Sequence, residues 1–192
     1  MVFHLLRNSC FKIFLMRRFV VLVCLLACTI LVNANNYPKS VRKKIDKTFI
    51  KLFPKKVVEL KEMTLSQDVL SSYASVSNVK ASILSAAGEE LGYACFASSR
   101  GKNDHFDYMV IFDKALVIKK VVVLVYRSTY GGEIMSRSWL KQFIGKSKGE
   151  ALEIDKDIDS ISGATLSAPS ITQGIKELSL LISDIDKSKE SN

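Results

Sequence analysis

Residues 106–112 and 116–126 are both dense in β-branched and aromatic side chains, and only three residues, beginning Asp113-Lys114, separate them. A link that short cannot return the chain parallel to itself, because a parallel crossover takes a dozen or more residues. The two runs are therefore neighbours in an antiparallel hairpin. A third run at 91–97 precedes them, after a turn at Gly88 and before the polar loop Ser99-Arg100-Gly101-Lys102-Asn103-Asp104. Consecutive strands with short links predict a meander. Helical patterns on either side of it predict an α+β domain, a twisted antiparallel sheet with helices packed on one face.

The helical patterns are read from apolar spacing. Val41, Ile45, Phe49, Leu52 and Phe53 predict a first helix over 38–53, stopped at Pro54. The Ser-rich stretch 63–79 reads as a helix carrying Leu65, Val69, Leu70 and Tyr73. Residues 138–144 predict a short helix with Trp139, Leu140 and Phe143 on one side. A last helix is expected to begin within a few residues of Ala168, with Pro169 in its first turn, where a missing N–H costs nothing. Its stripe is Ile171, Ile175, Leu178 and Ile182, and its end is expected to fray from about Lys187. The resulting organisation is a basic helical segment at 35–79, a domain at 80–187 and a frayed tail at 188–192.

The chain opens differently. Residues 19–32 are an uncharged apolar run of 14 residues, short of the roughly 20 a membrane-crossing helix needs but suited to a secretory signal. Arg17 and Arg18 precede it, and Val32-Asn33-Ala34 offers a cleavage site. Residues 1–34 are thus expected to be a signal peptide, with the start at Met1 or Met16, and the protein is expected to be exported to the periplasm or the outer face of a membrane. Leu25-Leu26-Ala27-Cys28 also resembles a lipoprotein box, which would anchor the chain at Cys28. Cleavage after Ala34 removes four basic residues and lowers the net charge from +9 to +5. Most of the remaining excess lies at 39–61, with nine basic residues against Asp46 and Glu59. Two readings fit that segment: a basic amphipathic helix lying on an anionic membrane, or a surface helix with its lysines in water. Nucleic acid is not an expected partner, because no nucleic-acid motif accompanies the charge.

Of four cysteines only Cys95 follows the targeting segment, and its neighbours place it as a buried strand residue. With two histidines in the whole chain, a metal centre built from His and Cys is not expected.

The segment Asp159-Ser160-Ile161-Ser162-Gly163-Ala164-Thr165 leads small residues into the last helix. Small residues let a ligand approach the backbone, and a helix N-terminus favours an anion. On Ser162-Gly163-Ala164-Thr165 alone, an ordinary loop whose Ser or Thr caps the helix is the favoured reading. Asp159-x-x-Ser162-Gly163-Ala164-Thr165, however, resembles the flavinylation motif of the FMN-binding domain family, which includes subunits of sodium-pumping NADH:quinone reductases and Rnf-type complexes. Gly92-Tyr93, residues 106–113, Tyr126-Arg127, Gly131-Gly132-Glu133-Ile134 and residues 139–143 are similar to a small exported subgroup of it.

The resemblance implies a covalent FMN carried by Thr165 through a phosphoester, attached from FAD by a separate Mg-dependent flavin transferase. It implies recognition and phosphate-loop roles for Asp159, Ser162, Gly163 and Ala164. Thr129, Gly131 and Gly132 fall where larger relatives have a Glu-Thr-Pro-Gly turn beside the flavin ring; here Ser128 replaces the Glu and Tyr130 the Pro. Tyr130 and Trp139 are the exposed-aromatic candidates for the ring, and a place in the core is an equal reading for Trp139. No nucleophile–base pair or second cofactor motif is evident, so the expectation is an electron carrier serving membrane electron-transport components rather than a complete enzyme. The alternatives are an envelope binding module without flavin and a reductase binding FMN reversibly.

Overall fold

The computed structural model describes residues 37–147 and 152–190, with the side chain of residue 190 left aside. The expected signal peptide and Cys28 lie outside these residues. The chain divides into two compact units, 1–42 and 43–192. The described part of the first is the opening of helix α1 (Lys39–Leu52), where the N–H groups of Val41 and Arg42 both donate to the Pro38 carbonyl.

In the second unit, β1 (Glu59–Glu62), β2 (Ser77–Ala86), β3 (Glu89–Arg100), β4 (His105–Asp113) and β5 (Ile118–Val125) form one antiparallel sheet in sequence order. The sheet does not close into a barrel. Helix α2 (Gln67–Ser71) joins β1 to β2. After β5 come a 3₁₀ turn (Gly132–Met135), helix α3 (Arg137–Leu140), a second 3₁₀ turn (Lys141–Phe143) and the long helix α4 (Ser167–Glu190).

Register fixes which side chains meet. Tyr93 pairs with Phe112, Cys95 with Val110 and Ala97 with Tyr108, and Val110 and Tyr108 pair onward with Val121 and Val123. Successive strand residues face opposite sides, so these side chains share one face. There they form a single core with Ile171, Ile175, Leu178 and Ile182 of α4. All four isoleucine and leucine side chains are fully buried, each worth about 1.5–3 kcal/mol against leaving it in water. Ala94, Phe96, Met109 and Ile111 alternate onto the other face and are buried as well. The fold is the expected α+β meander.

Several elements differ from expectation. The 63–79 helix shrinks to the five residues of α2, capped by Ser66, whose hydroxyl accepts from the Val69 N–H. Val69 stays exposed, while Tyr73 is buried and donates to Asp184 at 2.8 Å. A stripe split in this way cannot hold a helix face against one neighbour. Strands β1 and β2 carry little strand signal, since β1 is exposed throughout and β2 buries Ala81, Ser82, Leu84 and Ala86 rather than β-branched or aromatic residues. Strand β5 starts two residues late because Leu116 takes φ 60°, in a turn where Asp113 Oδ1 accepts from the N–H groups of Ala115 and Val117. Helix α4 continues past Lys187 to Glu190. Lys189 holds that end down, its Nζ 3.1 Å from the Tyr93 hydroxyl and 4.6 Å from the ring centre. Cys95 is fully buried as expected, and burial pushes its thiol pKa well up, leaving it unreactive.

Candidate functional site

Two loops converge at the start of α4. The first leaves the end of β5. Its exit is fixed by Arg127, which donates to the His105 carbonyl at 3.0 Å and pairs with Asp107. The second, ending Ser162-Gly163-Ala164-Thr165, runs into Ser167 at the head of α4.

They are joined at Tyr126 and Ser167. The Tyr126 hydroxyl donates to the Tyr130 carbonyl at 2.6 Å and lies 2.8 Å from Ser167 Oγ. Tyr126 has one proton, so Ser167 donates to it. Gly131 sits over this pair at φ 87°. A Cβ there would overlap Tyr126 Oη and stand 2.5 Å from Ser167 Oγ. Only glycine takes that backbone and leaves that space. Gly163 repeats the pattern at φ 87°, with the Glu133 carboxylate 2.7 Å from where its Cβ would stand. Thr129–Gly132 and Ser162–Thr165, 30 residues and more apart, therefore close on each other through two glycines.

Between them is a hollow of about 280 Å³. Lys102 and Tyr130 line it together with Gly131, Gly163, Thr165 and Leu166. Lys102 Nζ stands 4.9 Å from the Tyr130 ring centre. Thr165 is exposed, and among the described residues the N–H groups of Thr165 and Leu166 donate to no acceptor. Free N–H groups at the head of a helix of 24 residues, with a lysine facing them, favour a phosphate. An accessible hydroxyl is set in the same place.

The expected site residues fall into two groups. Thr165, Gly163, Ala164, Tyr130 and Gly131 line the hollow. Thr129 and Ser162 are exposed beside them, and Gly132 packs on the Tyr126 ring. Of the two readings of Trp139 the structure has the core one: it is buried, with its ring edge-on to Phe143. Its indole N–H donates to the Asp159 carbonyl at 2.7 Å, and the Asp159 N–H donates to Gln142 at 2.8 Å. Trp139 and Gln142 therefore fix the start of the loop that Thr165 ends. Sequence reasoning missed Lys102, Tyr126 and Glu133 as site residues. Lys102 is one cation in a polar loop 60 residues from the motif, and only the β3–β4 hairpin brings it over.

The family model of the FMN-binding domain matches residues 101–179. No curated protein matches the chain. The matched segment opens at the Lys102 loop, spans both converging loops and ends within α4, so over these residues, which hold the candidate site, the chain is similar to the FMN-binding domain family.

Proposed function

We propose that this protein is an exported electron-transfer flavoprotein whose FMN is joined to Thr165 Oγ1 by a phosphoester. The observation that carries the reading is the exposed Thr165 residue at the rim of a hollow that Lys102 lines, between two loops that Gly131 and Gly163 allow to close on each other. The residues fit the group. A Cβ at Gly131 or Gly163 would intrude on the closing loops, the unpaired N–H groups of Thr165 and Leu166 suit a phosphate, and Lys102 neutralises its charge. Thr165 Oγ1 would take up the phosphoryl group from FAD, giving up its proton as AMP leaves, with a Mg-dependent transferase as catalyst. Asp159, Ser162, Gly163 and Ala164 present that hydroxyl, and Tyr130 offers a face for the ring. Once attached, the isoalloxazine supplies one- and two-electron transfer. The chain's own residues position it and tune its surroundings, consistent with a carrier that exchanges electrons with membrane components. A covalent bond keeps the cofactor on a protein working outside the cytoplasm.

The test is co-expression of the full chain with a flavin transferase in a host that exports it, followed by denaturation. Flavin fluorescence should stay on the polypeptide, and intact mass should rise by one FMN less water. Thr165→Ala should lose both, and Thr165→Ser should keep part of the modification. Flavin released on denaturation would favour a reductase binding FMN reversibly, and no flavin at all would favour a binding module. Covalent flavin on Thr165→Ala would overturn the attachment site.

A further inference from the structure

A second concave site lies against the edge strand β5, past the 3₁₀ turn Gly132–Met135 that leaves the flavin loop. It encloses about 260 Å³. Of its twelve lining residues five are cations, Lys44, Lys47, Lys51, Lys120 and Arg137, and none is acidic. Helix α1 presents the first three at spacings of three and four residues, which puts them on one face. None of the five is in an ion pair with a carboxylate among the described residues. The floor between them is apolar, with Leu52, Met135 and Leu140 beside the valines of β5.

Lys44, Lys47, Lys51 and Arg137 are exposed at the rim of the groove, and Lys44 is the one drawn onto its wall. Its Nζ is tied to the Val123 carbonyl at 2.6 Å, and burial together with the Arg137 charge lowers its pKa. Like charges held on one concavity repel unless an anion joins them. The apolar floor asks for a non-polar part on the same molecule, and an arginine among lysines suits the several oxygens of a phosphate.

We propose that this groove binds a phosphate group attached to an apolar body, with the phosphate between α1 and Arg137 and the apolar part on Leu52, Met135 and Leu140. That chemistry is shared by an anionic lipid headgroup and by a free phosphorylated metabolite. The site is separate from the Thr165 hollow and does not depend on flavin being there. Its position past Met135 places whatever it binds next to the flavin loop.

The experiment uses the full chain, wild type and Lys47→Gln/Lys51→Gln, with two probes. In the first arm, sedimentation compares vesicles of phosphatidylglycerol with vesicles of phosphatidylcholine. Any affinity of the N-terminal apolar run contributes to both lipids and cancels in their ratio. A lysine at an anionic surface is worth about fivefold in partition, so the ratio should fall by about 25-fold in the double variant. In the second arm, inorganic pyrophosphate should raise the unfolding temperature of wild type and of Lys102→Ala but not of Lys47→Gln/Lys51→Gln. A drop in the lipid ratio alone identifies the headgroup as the source, and the pyrophosphate shift alone identifies a free phosphate. If neither the ratio nor the shift differs between wild type and the double variant, the proposal is overturned. In-gel flavin fluorescence of the same samples reports the Thr165 reading separately and should be equal in both proteins.

Discussion

Replacing Gly131 with alanine tests whether the Tyr126–Ser167 pair really closes the two loops. Two costs add. The φ of 87° is left-handed, where an alanine costs about 1–2 kcal/mol, offset by up to about 1 kcal/mol from a stiffer unfolded chain. The new Cβ also overlaps Tyr126 Oη and stands 2.5 Å from Ser167 Oγ. One of these hydroxyls must leave, breaking bonds of 2.6 and 2.8 Å worth about 1 kcal/mol each. The sum is about 3 kcal/mol, so a urea midpoint should move down by about 1.5 M for a slope of about 2 kcal/mol/M. In a Tyr126→Phe/Ser167→Ala background both hydroxyls are absent and Ser167 Cβ, at 3.3 Å, becomes a tolerable neighbour. There Gly131→Ala should cost only the backbone strain, about 1 kcal/mol, leaving a coupling of about 2 kcal/mol. Equal costs in the two backgrounds, within about 0.5 kcal/mol, would refute the contact as the reason glycine stands at 131.

Gly174→Ala should reverse the usual sign of that exchange in a helix, where alanine gains about 1 kcal/mol. Its Cβ would overlap the buried Tyr108 hydroxyl and stand 2.7 Å from Ser99 Oγ, so urea denaturation should show a loss of about 2–3 kcal/mol; any gain would mean α4 sits farther from β4. Burial first, then the hydrogen bond to Asp184 and the charges of Asp184 and Glu177, push the Tyr73 hydroxyl up to about 12. Because the unfolded chain gives up that proton nearer pH 10, the contribution is whole below pH 10 and lost as pH rises through 12. Tyr73→Phe should therefore flatten the alkaline decline in stability, and an unchanged slope would count against it. Trp139→Phe removes the donor to the Asp159 carbonyl and should cost about 1–3 kcal/mol. It should also slow flavin attachment at Thr165 without abolishing it, as read by in-gel fluorescence over time.

The sheet was legible wherever side-chain pattern and backbone need coincide. Residues 106–126 announce a hairpin because every buried position there except Met109 is large and branched or aromatic. Strands β1 and β2 were not legible, because Glu59–Glu62 is exposed throughout and three of the four buried positions of β2 are alanine or serine, whose strand state comes from pairing with β3. The loop that lines the hollow at the head of α4 was legible as a run of contiguous residues ending at Thr165. What surrounds it was not, since Lys102, Tyr126 and Glu133 arrive from separate elements and none stands in a pattern of its own. Trp139 illustrates the limit of residue type as a guide. A tryptophan near a Gly-Gly turn fits a flavin platform and a core anchor equally well, and its 5% exposure and bond to Asp159 make it an anchor.

The shape of the hollow bears on why a covalent link would be used. A pocket that retains a molecule with rings as large as a flavin's by affinity alone has to bury most of it. This one is about 280 Å³, and its rim residues Tyr130 and Leu166 are 61% and 58% exposed. It can seat a phosphate against Lys102 and the loop N–H groups, but it has little wall left for the apolar rings. Reversible affinity would then rest mainly on an exposed ionic contact, which contributes little and weakens with salt. The proposed bond at Thr165 would remove the need for affinity and would leave the ring accessible to partners. It follows that free FMN added to Thr165→Ala protein should wash out on dialysis at physiological salt, although every other contact of the site is still in place. Flavin retained through dialysis would mean that the hollow holds the ring on its own, and the reversible reading would then replace the covalent one.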